Sequence, residues 1–309
     1  MRSIAQRHNS DSGPTAIKPR SSSWLLLSFL FLGALFTVAP VHAQALRIFV
    51  ASYGNDSNDG SRGSPKRNFQ AAHDAVADGG QVVALDTAGY GRITITKSMS
   101  ITVPPGVNGF VTATGPFDSG IRIFPGPSGI VSLRGLIIEG AGGTDGSPRG
   151  VSMDEGTLYI EDCIIRNFGS SGVESSFTDD KTVKVVARNV QIRNCGYGFF
   201  SSADSHATVV YVLTDCLVDG CRNAGVFAQG NNNNNSFSRT TLTRCTLTGN
   251  AIGIRSALQD IRVYADTCTL SGNGTGLQTA ASGQILSRGN NTFTNNSSDG
   301  AFTGALATK

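Results

Sequence analysis

Asp215-Cys216-Leu217-Val218-Asp219-Gly220-Cys221-Arg222-Asn223-Ala224-Gly225-Val226-Phe227 decides the fold. A short alternating apolar strand runs into a tight Gly/Asn bend, and a Gly-apolar pair then opens a second strand. The same pattern recurs on both sides. Anchored on the second inward apolar residue, the copies fall at Ile138, Ile165, Ile192, Val218, Leu247, Leu270 and Phe293, at intervals of 27, 27, 26, 29, 23 and 23 residues. A period in the twenties built of β-type pieces, with turn residues at fixed offsets and no helical phase, specifies an all-β solenoid in which each repeat is one coil.

Other offsets keep the registration. Two residues before the anchors stand Leu136, Cys163, Val190, Cys216, Cys245, Cys268 and Asn291. Residues two apart in a strand share a face, so this column is expected to point inward. Three residues past the anchors stand Phe168, Cys195, Cys221, Asn250, Asn273 and Asn296. Stacked Asn side chains can hydrogen-bond along the axis as a ladder, and Asn tolerates the left-handed conformation of a bend. Beyond the bend come Gly150-Val151, Gly172-Val173, Gly198-Phe199, Gly225-Val226, Gly253-Ile254, Gly276-Leu277 and Gly300-Ala301. Glycine is expected there because the chain must turn.

Residues 1–43 read as a secretory signal. Arg2, Arg7, Lys18 and Arg20 precede the apolar run 24–38, and Val41-His42-Ala43 supplies a cleavage site after Ala43. The alternative is a membrane anchor, but the run is shorter than the roughly twenty residues a spanning helix needs. The protein is thus expected to be secreted or periplasmic, with no membrane span after signal cleavage. The whole chain carries 25 basic and 22 acidic residues. The leader holds four of the former and Asp11 of the latter, so 21 face 21 in the remainder. Such balance argues against nucleic acid as a partner, which calls for clustered Lys and Arg.

All six cysteines follow residue 43, where export permits disulfides. Thiols in the inward column would stand about 4.8 Å apart, beyond the usual disulfide Cβ range of about 3.5–4.5 Å. Buried thiols are expected, with Cys195 and Cys221, in one bend column, as the pair that could bridge.

Residues 44–309 read as one domain. Its opening, 44–80, carries the strand Arg47-Ile48-Phe49-Val50-Ala51, the polar loop 52–61 and a short helix placing Phe69, Ala72 and Val76 on one face. A helix here would cover the open end of the core. Further strands follow at 81–85, 92–96 and 100–103, and regular coils span 133–304. The strand, the Gly54-Asn55-Asp56-Ser57-Asn58-Asp59-Gly60 loop, Ser64-Pro65, the helix ending Asp74-Ala75-Val76 and the run Gly79-Gly80-Gln81-Val82-Val83 resemble the start of secreted proteins of the pectate-lyase-like superfamily. That resemblance implies a right-handed parallel β-helix with a short N-terminal capping helix. It implies no single activity, since the superfamily holds lyases, hydrolases, esterases, epimerases and adhesins.

The catalytic patterns of that group are missing from the sequence. Asp179-Asp180 is a carboxylate pair without the Gly-His-Gly and Arg-Ile-Lys elements of galacturonan hydrolases, and Gln259-Asp260 lacks its esterase context. Asp179, Asp180, Lys181, Asp204 and His206 form the densest polar cluster, where carboxylates could hold Ca2+ and a Lys or His could move a proton. The alternative is solvated loop charge. Asp56 and Asp59 resemble a calcium loop without a distal acid. Registration places Ser152, Glu174, Phe200, Phe227, Arg255, Gln278 and Phe302 on one outward row. Glu174, Phe200, Phe227, Arg255 and Gln278 would form an exposed ribbon able to stack on a sugar ring and hydrogen-bond its edges. A loop at 177–182 or 231–235 could instead fold over the Phe pair. Three functions are compatible: binding of a polysaccharide or envelope glycan, lyase or hydrolase action on acidic glycans, and an adhesin or scaffold role.

Overall fold

Each repeat folds into one coil of three strands, as in Thr182–Arg188, Gln191–Arg193 and Tyr197–Ala203. The computed structural model describes residues 44–306 except 116–118, 143–147, 177–179, 205 and 231–235. The segment 1–43, expected to be a leader with a cleavage site after Ala43, lies outside the described residues. Stacked coils form three sheets, here called I, II and III in the order a coil visits them, with eleven, nine and eight strands among the described residues. Their strand pairings are parallel. The molecule is an all-β parallel β-helix of about nine turns.

The seven anchors stand side by side in sheet II, from Ile138 through Ile165, Ile192, Val218, Leu247 and Leu270 to Phe293. All but Phe293 are buried. Full burial of an aliphatic side chain of this size stabilises by roughly 1.5–3 kcal/mol, so the column is a principal source of cohesion between coils.

The chain turns at two sets of residues. Asp162, Asn189, Asp215, Arg244, Thr267 and Asn290 have φ of 51–54° on entering sheet II, and Asn167, Asn194, Gly220, Gly249, Gly272 and Asn295 have φ of 53–67° on leaving it. The Asn ladder lies one residue beyond this second corner. Asn250 Nδ2 donates to Asn273 Oδ1 and Asn273 Nδ2 to Asn296 Oδ1, both at 3.0 Å. The same oxygens accept the backbone N–H of Asn250 and Asn273.

The glycine column corrects the sequence expectation. Gly150, Gly172, Gly198, Gly225, Gly253 and Gly276 are absent from the positive-φ positions. They are glycine because stacked backbones approach one another there. A Cβ on Gly198 would lie 2.4 Å from the Gly225 carbonyl oxygen and 2.4 Å from Val218 Cγ1. The last copy departs further: Gly300 has φ +70 and opens no strand, and Phe302 packs edge-on against Phe293 at 5.8 Å between ring centres.

All six cysteines are buried thiols. From Cys163 onward the inward column sits at the corner just before each sheet II strand, whereas Leu136 opens its own strand. There Cys163, Cys216 and Cys268 each donate to the carbonyl two residues back, at 3.2–3.3 Å. Cys195 and Cys221 are unbridged as well. Burial pushes the Cys163 thiol up to about 12 and the Cys195 thiol up to about 11. Because the thiolate is the reactive form, a disulfide reagent is expected to titrate six thiols in denaturant and few in the folded protein; two fewer in denaturant would reveal a bridge.

The expected capping helix is α1 (Phe69–Ala75), with Phe69, Ala72 and Val76 buried as its periodicity required. Sheet III begins at Ile93–Ile95, and α1 occupies the place of a preceding strand. Gln70 Oε1 accepts the Thr94 N–H at 2.8 Å, and His73 Nε2 accepts the Thr96 N–H at 3.2 Å. Helix side chains thereby satisfy backbone donors of the edge strand, which bare would invite further pairing.

Asp56 fastens the loop before the helix. Its Oδ1 accepts the N–H groups of Arg67 and Asn68 at 2.9 Å, and its Oδ2 accepts Asn68 Nδ2 at 2.6 Å. Asp59 Oδ1 likewise accepts the Ser61 N–H at 2.9 Å. Both candidate calcium ligands are therefore engaged in holding loop backbone, and among the described residues no three His, Cys, Asp or Glu cluster as a metal site would need. Burial raises the Asp56 carboxyl, but its hydrogen bonds from Asn68 and Arg67 and the Lys66 charge outweigh that and hold it below the usual carboxylate range. A depressed folded pKa makes this contribution fully present above the unfolded value of about 3.9 and lost as pH falls through the folded one. Asp56→Ala is expected to cost about 1 kcal/mol at neutral pH, discounted for solvent exposure, and the cost should shrink in acid as the carboxylate's charge is lost. Denaturant melts at several pH values measure it.

Candidate functional site

Outward side chains of sheet III fall in one file. Register carries it from Thr94 to Arg122, Ser152, Glu174, Phe200, Phe227, Arg255 and Gln278. The ribbon expected from the sequence is real as an arrangement, and it extends two coils further toward the helix. Phe302 is not part of it.

Its exposure differs from expectation. Phe227 is 5% exposed and Glu174 3% exposed, so neither offers an open surface. The cause is packing along and across the file. Phe200 stacks on Phe227 with ring centres 5.3 Å apart, Tyr197 stacks on Phe200 at 5.2 Å, and the Arg255 guanidinium lies over the Phe227 ring at 4.8 Å. Phe227 is thus held between the coils on either side of it. Phe200 and Arg255 stay half-buried and Gln278 is exposed. The loop residues 177–179 and 231–235, which could have covered the Phe pair, lie outside the described residues.

Glu174 is a buried carboxylate in a polar nest. The Arg149 guanidinium pairs with its Oε1 at 2.9 Å, and Ser176 Oγ donates to the same oxygen at 2.6 Å. Ser170 Oγ reaches Oε2 at 3.4 Å. Pairing and hydroxyl donors are what allow a carboxylate to remain buried.

Arg149 also reaches into a cleft of about 610 Å³ over the first coils of sheet III. Arg92, Arg122, Arg149 and Lys181 line it with Ser152 and Asp154, and Gln70 reaches it from α1. Arg122 grips Asp154 Oδ2 through Nε at 3.1 Å and Nη2 at 2.9 Å. Four cationic side chains on one concave surface are what the overall charge balance conceals. The sequence singles out Lys181 and Ser152 but not Arg92, Arg122 and Arg149, because a cleft formed across coils leaves no local pattern around them. A signal existed: Ile93-Thr94-Ile95, Ile121-Arg122-Ile123 and Val151-Ser152-Met153 repeat an apolar-x-apolar triplet.

The loop candidates separate. Lys181 lines the cleft. Asp180 pairs with His206 at 3.3 Å, both exposed, and neither they nor Asp204 line the cleft. Asp179 lies outside the described residues. Among the described members of that cluster, Lys181 is the one that lines the cleft.

The fold is that of a pectate-lyase-like parallel β-helix. The crystal structure of pectate lyase Pel9A matches with a TM-score of 0.50 and 17% identity, over 85% of this chain and 78% of that one. The complex of XylC with xylose matches with a TM-score of 0.58 and 8% identity, over 78% of this chain and 65% of that one. At such identities the likeness speaks for fold alone. No protein-family model and no curated protein sequence matches the chain. Among the described residues no helix is long and apolar enough to cross a membrane.

Proposed function

We propose that this is an exported protein that binds a glycan chain along the outward file of sheet III. The carrying observation is the continuity of that file, which passes in register from a concave, hydrogen-bonding end at Arg122 and Ser152 to a half-exposed aromatic at Phe200. Sugar recognition needs both features, polar groups for hydroxyls and a ring face for the C–H surface of the pyranose. The neighbours named for pectate lyase and for a xylose complex support a carbohydrate ligand by analogy of fold.

Binding can be tested on a glycan array and then by calorimetry. Phe200→Ala is expected to weaken the best ligand about tenfold, in line with roughly 0.5–1.5 kcal/mol for an aromatic contact; because Phe200 also stacks on Tyr197 and Phe227, stability should fall by about 1–2 kcal/mol, and binding is compared well below the variant's melting temperature. Phe227→Ala is the poorer test, since Phe227 is internal packing. Unaltered affinity in Phe200→Ala would remove the aromatic end from the site.

A second reading is favoured by the position of Lys181. In a lyase, an arginine neutralises a uronate carboxylate and a basic side chain removes the α-proton that this makes labile. Arginines and Lys181 share the cleft. Release of ultraviolet-absorbing unsaturated uronate, lost in Lys181→Ala, would establish it; binding without release leaves the protein a lectin-like solenoid.

A further inference from the structure

We infer that the thiol file of Cys216, Cys245 and Cys268 is a binding site for a soft monovalent metal cation, Cu(I) by class, held in linear two-coordination between sulfurs of adjacent coils. The file stands at the corner between sheets I and II, apart from the glycan face on sheet III, so neither proposal depends on the other.

Stacking is the first ground. The Thr246 N–H donates to the Cys216 carbonyl at 2.9 Å, and the Thr269 N–H does the same to Cys245, which sets the three cysteines side by side in successive coils. Their side chains share one orientation. Each thiol reaches the carbonyl two residues back, at 3.3, 3.5 and 3.3 Å, and those of Cys216 and Cys245 also reach Ala187 O and Leu213 O on the preceding coil at 3.7 and 3.5 Å. Parallel side chains leave sulfur facing sulfur, and Cys245 hydrogen-bonds to both Cys216 and Cys268.

Distance is the second ground. Neighbouring strands lie about 4.8 Å apart, too far for a disulfide, whose Cβ atoms stand about 3.8 Å from one another. Two metal–thiolate bonds of about 2.3 Å end to end span about 4.6 Å, close to that spacing. A metal between two sulfurs thus fits where a covalent bridge does not.

Coordination number then selects the ion. Structural zinc takes four ligands and iron–sulfur clusters four cysteines, whereas among the described residues no three His, Cys, Asp or Glu converge on one point. Soft sulfur ligands select Cu(I), which two facing thiols can hold. Burial sets the charge. Cys216 and Cys245 are 2% exposed and Cys268 1%, and a neutral complex avoids the cost of burying a net charge. A monovalent cation therefore replaces one proton: the cation and the Cys216 and Cys245 thiols give a thiolate–metal–thiol unit and one released H+, with no change of oxidation state. Such a site fills as the coils close, or when terminal coils open.

Cys163 is the internal control. Its thiol makes the same bond to the carbonyl two residues back, at 3.2 Å, but its file neighbours are Leu136 and Val190, so no second sulfur faces it.

The test equilibrates the reduced, intact protein with Ag(I), a redox-stable surrogate for Cu(I), and separately with Cu(I) under ascorbate. Loading is done both on the folded protein and during refolding. Imidazole then strips ions from the surface, and retained metal is counted. At least one equivalent is expected to stay, with X-ray absorption showing two sulfur neighbours, while Zn(II) washes out. Cys245→Val, which removes the sulfur shared by both pairs, should lose at least about tenfold in apparent affinity, and Cys163→Val should bind like the parent. Valine suits the position because Val190 fills it in another coil, and Cys245→Ala serves if circular dichroism shows the first variant misfolded.

Loss of the metal after loading by both routes, three or more metal neighbours, or undiminished binding in a folded Cys245 variant would overturn the inference.

Discussion

Gly198→Ala is expected to lower stability by about 3 kcal/mol or more, beyond the usual range for a single added methyl. Ordinary Gly→Ala changes in regular structure are mild or favourable, because Ala restricts the unfolded chain. Here the new Cβ would meet the Gly225 carbonyl oxygen and Val218 Cγ1 at 2.4 Å, and one of these is backbone. It cannot swing aside. Either the coils part, losing the parallel hydrogen bonds of sheet III, or the Val218 anchor is displaced from the sheet II column. Gly63→Ala is the control, since a Cβ there meets nothing within 4 Å, and it should stay within about 0.5 kcal/mol of the parent. Denaturant melts followed by circular dichroism report both. A mild Gly198→Ala would mean that the coils are less closely stacked than described.

The second large effect belongs to Asn273. This residue is 1% exposed, and its amide accepts from the Asn250 backbone and side chain while donating to Leu247 O and Asn296 Oδ1. Replacement by Ala strands the Asn250 N–H and the Leu247 carbonyl in the interior. Each buried orphan costs about 1–3 kcal/mol, so Asn273→Ala should cost roughly 2–4 kcal/mol. Thr294→Ala, which removes the exposed hydroxyl bridge to Ser271, is expected to change little. Solenoids unfold as chains of neighbouring units, so the loss should appear first as early melting of the last coils rather than as one cooperative shift. Hydrogen exchange across residues 246–306 would resolve it.

Much of the fold was legible because a repeat states the same constraint many times. Seven anchors from Ile138 to Phe293 needed only correct spacing to be placed side by side, and the Asn ladder followed from polarity in a buried column. The glycine column was legible as a position but not as a cause. Sequence alone does not separate a glycine that turns the chain from one that lets two backbones meet, and both kinds occur here, Gly220 with φ +67 and Gly225 against its neighbouring coil. The file on sheet III was found for the same reason as the anchors. Its burial was not, because Phe227 is covered by Tyr197, Phe200 and Arg255, contacts that depend on ring orientation. Of the cleft, Ser152 and Lys181 were named but not brought together, and its arginines were missed. Arg92, Arg122 and Arg149 lie in coils with weak repeat marks, and a neutral total charge gives no hint of where charges gather.

Hydrogen exchange of the protein with and without its best-binding oligosaccharide tests the assignment of the face most directly. Added protection is predicted in segments 92–96, 119–123, 149–154 and 197–202, all on sheet III, with sheet I unaffected. Protection confined to the outer strands of sheet I, or to the C-terminal coils beyond Gln278, would contradict it.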